Sequence, residues 1–398
     1  MKFILLNMSY QFTWDKGIYN RNKHILDELS KREDVDQILS VDFLPYDFRS
    51  FLRLYLKSKV YKKIGKNIVA MGHHYVARRL SDKVISLSAM NADKVYKAVC
   101  KIGFKDAVIL NYNPLNTDYI KLFKKNKKYF DAVDNWINNS IFKDYKNLLE
   151  KNYKNIVLNS DHVFTVSDKL KDDLERIAFR EQKTETATIL VNIKNNISFI
   201  SNGVDLDHYN NPIISERLER QIIEIRKNYK KIIGYMGVIK DDRIDINLLE
   251  FIVKNNPNYF FIIAGPVHGN FDLKIFKNYK NISFIGEIKY KEMPYLYKQF
   301  DICIIPHLVN GFIKSMDPKK LYEYLASGKP IITTKVSGVE KFRNHIKIVN
   351  NKEEFSSKIN LIINNANNFS EDKIKERKLL VSEYGWKNKV DQMMGFVL

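Results

Sequence analysis

The chain has 398 residues, 45% of them hydrophobic, which is long for one ordinary domain and comfortable for two with cores of their own. No run approaches the roughly 18 to 20 apolar residues of a membrane-crossing helix, so a helical membrane protein is excluded and a soluble or peripheral one is expected. The net charge of +20 points to an anionic partner (nucleic acid, a phosphorylated substrate or an anionic membrane surface), although Lys, Asn and Ile are abundant throughout and general composition accounts for part of it.

The N-terminus "MKFILLNMSYQ" starts like a signal peptide, but its apolar run, Phe3 to Leu6, ends too soon, and a first buried strand is the better reading. A helical pattern follows, with Ile18, Ile25, Leu26 and Leu29 on one face, and then the strand-like run "VDQILSVDF". "KDAVILNYNP" and "KKYFDAVDNW" each read as a buried strand ending in polar residues. "SDHVFTVSDKLKDDL" reads as strand, turn and helix, with Ser167 as N-cap. "ISFISNGVDLDHY" is a strand leaving through a turn. The alternation then restarts. "KKIIGYMGVI", "YFFIIAGPV", "NISFIGEI", "DICIIPH" and "PIITTKV" are strands, and "DINLLEFIVKNNP" and "YKEMPYLYKQF" are helices between them. Strands alternating with helices predict an α/β chain of two doubly wound domains facing each other across a cleft, with ligands at the carboxyl ends of the strands. The predicted division is 1–205, 206–375 and a C-terminal helical segment, 376–398. Cys100 and Cys303 are far apart and form no metal-binding pattern, which suits a reducing compartment.

One stretch, "SMDPKKLYEYLASGKP" (315–330), carries both ends of a helix. Asp317 suits the N-cap, Pro318 the first helical position and Gly328 the residue past the end, and Pro330 forbids continuation. Leu321 and Leu325 share a face, as core residues do. The first turn carries Lys319 and Lys320, cations set against the positive end of the helix dipole. A Lys319–Glu323 pair one turn apart is worth only about 0.3–0.5 kcal/mol and does not account for them. An anion would: free backbone N–H groups, the dipole and the ammoniums would converge on a phosphate. Glu323 could then accept hydrogen bonds from vicinal hydroxyls such as those of a ribose.

In order along the chain, "IIGYMGVIKDDRIDINLL", "YFFIIAGPV", "ISFIGEIKYKEMPYLYKQFDICIIPH" and "SMDPKKLYEYLASGKPIITT" resemble the C-terminal domain of bacterial GT-B glycosyltransferases of the GT4-like group. In the first half "YFDAVDNW", "SDHVFTVSDKL" and "ISNGVD" agree with that family, and the resemblance is weakest from about Asp42 to Phe104. It implies a GT-B fold, two Rossmann-like domains with the C-terminal helix crossing back to the first, where Trp386 has a structural role. It also implies an enzyme that moves a sugar from a nucleotide-diphosphate donor to a cell-surface glycan, with retained configuration. On the donor side it implies Glu323 at the ribose, Lys320 with the backbone around Pro318 at the diphosphate, where Lys319 shares the first turn, and Ile288 at the base, near which Tyr290 could pack or be structural. Lys240 and Arg243 fall near a phosphate-binding position, His268 at a strand end facing the donor, and Gly17 in the loop after the first strand. Many relatives carry a glutamate where this chain has Ser315, which leaves the sugar open and leaves room for a catalytically silent partner protein. An epimerase on the same fold fits the segment from Ser315 less well.

Asp134, in "DAVDNW", ends a predicted strand; it could orient the acceptor or act as base, or merely cap the next helix, whereas Asp131 should be remote. Fixed positive charge takes the place of a metal in this reading: Asp34–Asp36 and Asp205–Asp207 lack supporting ligands and read as turn residues, so no metal and no cofactor beyond the nucleotide sugar is expected. From Phe48 to Leu80 there is no acidic residue, while Arg49, Arg53, Lys57, Lys62 and Lys63, with Arg78 and Arg79 near the end, interleave with aromatic and aliphatic side chains. That is the composition of a membrane-surface helix. It fits an anionic inner leaflet and a polyprenyl-diphosphate-linked acceptor, hence a cytoplasmic, peripheral protein; a solvated face is the plainer alternative. A basic nucleic-acid-binding protein rests on charge and aromatics alone, with no recognition-helix, RNP or zinc motif, and nucleic acid is not expected as a partner.

Overall fold

The computed structural model describes residues 1–43, 68–72, 75–179 and 193–398. Arg49, Arg53, Lys57, Lys62, Lys63, His73 and His74 lie outside the described residues. The chain divides into two compact units: Met1–Ile200 with Val390–Leu398, and Ser201–Lys389. Among the described residues no helix is long and apolar enough to cross a membrane.

In the first unit, β1 (Lys2–Asn7), β2 (Gln37–Phe43), β3 (Ile68–Gly72), β4 (Tyr75–Arg79), β5 (Val84–Ala89), β6 (Val108–Asn111), β7 (Lys128–Ala132), β8 (His162–Thr165) and β9 (Ile197–Phe199) form one sheet, ordered β3-β4-β5-β2-β1-β6-β7-β8-β9. Pairings from β5 to β9 are parallel, and β4 is antiparallel to both of its neighbours. The continuous apolar run of β1 is what a strand covered on both faces requires. Phe3 and Leu5 pack on one side with Met393, Met394 and Val397 from the chain's end. Ile4 and Leu6 pack on the other with Val95, Ala98 and Val99 of the helix Ala92–Ile102. Ser167 caps the helix Asp168–Phe179 as expected, accepting from the Leu170 N–H at 3.1 Å.

One expectation is corrected here. Arg78 and Arg79, at the end of the acid-free stretch, lie on a strand of an antiparallel pair and not on a surface helix. The alternation of buried Tyr75 and Ala77 with half-buried Val76 and Arg78 is the period-two signal that the run of basic residues obscured.

In the second unit, β10 (Ile232–Met236), β11 (Ile239–Lys240), β12 (Phe260–Ala264), β13 (Val267–His268), β14 (Ile282–Gly286), β15 (Ile302–Ile305), β16 (Ile331–Thr334) and β17 (Lys347–Val349) divide into a parallel sheet ordered β14-β12-β10-β15-β16-β17 and a small β11–β13 pair. The larger sheet is doubly wound: the chain moves outward from β10 to β14, returns to β15 on the other side of β10, and moves outward again. Ligands in such sheets lie at the carboxyl ends of the strands where the order reverses, here β10 and β15. The helix Glu371–Leu379 stays in this unit, and the chain rejoins the first unit from Val390, within the helix Trp386–Met394.

Candidate functional site

The helix Lys319–Ala326 begins with Pro318 at its cap position, and no side chain caps its first turn. This corrects the assignment of Asp317 as the N-cap and of Pro318 as the first helical residue. The carboxylate of Asp317 instead accepts from the Asn202 backbone N–H at 2.6 Å and from the Tyr322 hydroxyl at 2.7 Å, with Lys341 Nζ at 3.5 Å. The Asn202 side-chain amide closes the link by donating to the Asp317 carbonyl oxygen at 2.6 Å. Asp317 is 4% exposed, and several donors outcompete a single cap for a buried carboxylate. The far end of the helix is as read. Gly328 has φ 70°, its N–H reaches Leu325 O, and the Lys329 N–H reaches Tyr324 O, the paired bonds of a left-handed helix stop. Asp317→Asn should lower unfolding stability by about 1–2 kcal/mol and weaken ligand binding at the helix by less than about tenfold, because one acceptor oxygen of the set is lost. Denaturant titration with a binding isotherm on the same variant checks this.

The two lysines differ in their partners. Lys319 Nζ lies 2.9 Å from Glu323 Oε1, so its charge is met within the helix. Lys320 reaches the switch point instead. Its amine donates to Tyr235 Oη of β10 at 2.7 Å and lies 3.2 Å from Nε2 of His307, just past β15. Tyr235 Oη also lies 3.2 Å from His307 Nε2 and 3.1 Å from the Val238 carbonyl, to which it donates. Gly237 makes room for this amine: a Cβ there would stand 2.5 Å from Lys320 Nζ, and its φ of 146° suits only glycine.

Arg243 adds a second cation. Its guanidinium lies over the Phe312 ring, 5.8 Å from the centroid, and its Nε is buried without a hydrogen-bond partner among the described residues. Burial, and then the charge of Arg243, hold the Lys320 amine well below the ordinary lysine range, while Glu323 pulls the other way. Burial, Lys320 and Arg243 likewise hold His307 well below the ordinary histidine range, so its ring is neutral. Among the described residues no carboxylate is hydrogen-bonded to Lys320 or Arg243. A basic amine and a guanidinium gathered at an uncapped helix start, with no carboxylate hydrogen-bonded to either among the described residues, form an arrangement suited to a polyanion.

Glu323 is 4% exposed, and both its oxygens are engaged, Oε1 by Lys319 and Oε2 by the Tyr297 hydroxyl at 3.0 Å. Ile288 is buried. Tyr290 stacks on His208 with ring centroids 3.9 Å apart, and Lys319 Nζ lies 5.7 Å from the Tyr290 ring. Glu323, Lys319 and Tyr290 therefore share one locality, and Lys320, Arg243, Tyr235 and His307 share the next.

Other candidates fall elsewhere or are otherwise occupied. Ser315 is fully buried and its hydroxyl donates to the Phe312 carbonyl at 2.8 Å, so it holds the turn before the helix. Lys240 is ion-paired with Asp242, and His268 is exposed on β13, in register with Lys240. Gly17 (φ 83°) and Asp134 belong to the first unit; Asp134 is half-buried just past β7, and its backbone carbonyl accepts from the Tyr153 hydroxyl at 3.0 Å. Asp34 pairs with Arg32, and Asp205 caps the helix Leu206–Asn210, as turn residues do. Tyr235 and His307 were missed in the sequence. Their signal was a polar residue at or just beyond the end of an otherwise apolar strand.

Residues 230–365 match the family described as Glycosyl transferases group 1. TuaH of Bacillus subtilis, whose name places it as a glycosyltransferase of teichuronic acid biosynthesis, is 25% identical over 146 residues, and the match spans 36% of each protein. Among solved structures, Anabaena HepE in complex with UDP aligns over 100% of this chain and 99% of that one, with TM-score 0.66 and 13% identity. Trehalose 6-phosphate synthase of Burkholderia multivorans aligns over 100% and 98%, with TM-score 0.68 and 8% identity. The chain therefore has the GT-B fold, and its residues 230–365 match the glycosyltransferase group 1 family.

Proposed function

We propose that the protein transfers a sugar from a nucleotide-diphosphate donor to a glycan of the cell surface, carried on a polyprenyl diphosphate, at the inner face of the membrane. The observation that carries this reading is the basic pair, the Lys320 amine and the Arg243 guanidinium, at the switch point of β10 and β15 and beside the uncapped start of the helix Lys319–Ala326. A leaving diphosphate develops negative charge as the glycosidic bond breaks, and preorganised cations and N–H groups stabilise it without a metal. Glu323 takes the ribose, exchanging its Lys319 and Tyr297 contacts for sugar hydroxyls or sharing them, since each carboxylate oxygen accepts more than one hydrogen bond. Ile288 and Tyr290 border the base. Asp134 acts on the acceptor side, and retention of configuration follows the family resemblance. The HepE complex with UDP supports the nucleotide class, and the TuaH similarity supports a surface-polymer acceptor.

The test begins with thermal-shift screening of UDP, GDP, dTDP and CMP and then their sugars. Glu323→Ala should weaken the best nucleotide by about tenfold, the loss of one charge-assisted contact, while the protein stays folded. Unchanged affinity would sink the ribose assignment. Ser315 favours a second reading, a nucleotide-sugar-binding partner without turnover, because its buried hydroxyl offers no carboxylate to the sugar. Tight donor binding with no sugar transfer to any lipid-linked glycan would establish that reading.

A further inference from the structure

We infer that a diphosphate binding at this site draws one proton from solvent into the cluster of Lys320, His307 and Tyr235. The inference rests on the proposed diphosphate site and adds a linkage to it. Lys320 Nζ, Tyr235 Oη and His307 Nε2 form a closed triangle with sides of 2.7, 3.2 and 3.2 Å. Such a triangle needs no net charge to satisfy its members. A neutral amine donates one N–H to the phenol oxygen and the other to Nε2 of neutral His307, while the phenol donates to the Val238 carbonyl.

The surroundings favour that neutral state. From β10 comes Tyr235, from beyond β15 comes His307, and from the loop after β11 comes the guanidinium of Arg243. On its own helix Lys320 faces Glu323, whose oxygens are taken by Lys319 and Tyr297. Burial and Arg243 both disfavour the ammonium. A diphosphate opposes both effects: it neutralises Arg243, and its anionic oxygens accept from a third N–H and offset the loss of water. The amine then becomes an ammonium that donates to Tyr235, to His307 and to the ligand. The balance is one proton from buffer onto Lys320 Nζ, with no bond broken. The sign follows. The group binds a proton more tightly in the complex than in the free protein, so affinity rises as pH falls and is lost as pH climbs through the group's value in the complex. Because the three groups share the proton, it belongs to the cluster and need not reside on one atom.

The experiment is calorimetric titration of the full chain with UDP, and separately with pyrophosphate, at pH 8 in buffers of different ionisation enthalpy. At that pH UDP carries no dissociable phosphate proton of its own to confuse the count. With UDP the parent protein should take up a proton; pyrophosphate, which at pH 8 still holds a proton of its own that binding can release, reports occupancy of the site alone. Lys320→Arg keeps a cation that cannot lose its proton, so it should bind with no uptake. Lys320→Met, which covers the case in which arginine does not fit, should bind more weakly and also without uptake. Binding of UDP by the parent with no proton uptake overturns the linkage and leaves the diphosphate site standing. Uptake that persists in either variant assigns the proton elsewhere and also overturns it. If neither probe nor any other nucleotide binds, the proposed function fails and this inference fails with it.

Discussion

With Lys320 replaced by methionine, the affinity for UDP or pyrophosphate should fall about 30- to 100-fold, or roughly 2–3 kcal/mol, the worth of a charge-assisted hydrogen bond to a phosphate. Methionine fills the same unbranched path, so the helix Lys319–Ala326 and its buried Leu321 and Leu325 need not move. The free protein, in contrast, should be at least as stable. The lysine head is confined between Tyr235 and His307 where burial and Arg243 disfavour its ammonium form, and methionine there buries no polar amine. Lower affinity with an unchanged or higher melting temperature is the mark of a group held in place for a ligand. An affinity within about threefold of the parent would remove Lys320 from the anion site. A marked fall in melting temperature would make it a structural lysine.

How much of this was legible beforehand depends on distance along the chain. The helix Lys319–Ala326, its glycine stop and the odd placing of its lysines are local grammar, and the stop stands as read. The alternation of strands and helices gave the fold class, because each buried parallel strand announces itself by its own composition. Asp317 failed as a cap because its real partner, Asn202, is 115 residues away, and a buried long-range bond outranks a local propensity. Tyr235 and His307 could not be placed beside Lys320 from spacing, being 85 and 13 residues from it. Only the order of β10 and β15 in the sheet joins them. Arg78 and Arg79 were misread because charge was weighed above the alternation of Tyr75 and Ala77.

The largest effect on stability should come from a pair of residues outside the candidate site. Asp131, in the middle of the β7–β8 pairing, is fully buried and bound by two contacts from Arg21, Nε to Oδ2 at 2.8 Å and Nη2 to Oδ1 at 3.1 Å. Burial raises its carboxyl above the usual range, and Arg21 is the influence opposing that rise. Arg21→Met takes the opposing charge away and strands an acid beside the buried Tyr112 hydroxyl, at a cost of about 3–5 kcal/mol at neutral pH. The folded protein then holds the proton of Asp131 more tightly than the unfolded chain does. Stability is therefore fullest below about pH 4 as far as this group is concerned, and is lost as pH rises through the folded value. Acidification should thus rescue the variant in part, the reverse of ordinary acid denaturation. Adding Asp131→Leu should restore most of the loss and abolish the pH dependence, because a buried pair replaced whole by apolar side chains costs little. Urea unfolding of the two variants and the parent from pH 4 to pH 8 measures all three expectations. If Arg21→Met costs less than about 1 kcal/mol, the pair is solvated and does not hold the first unit together.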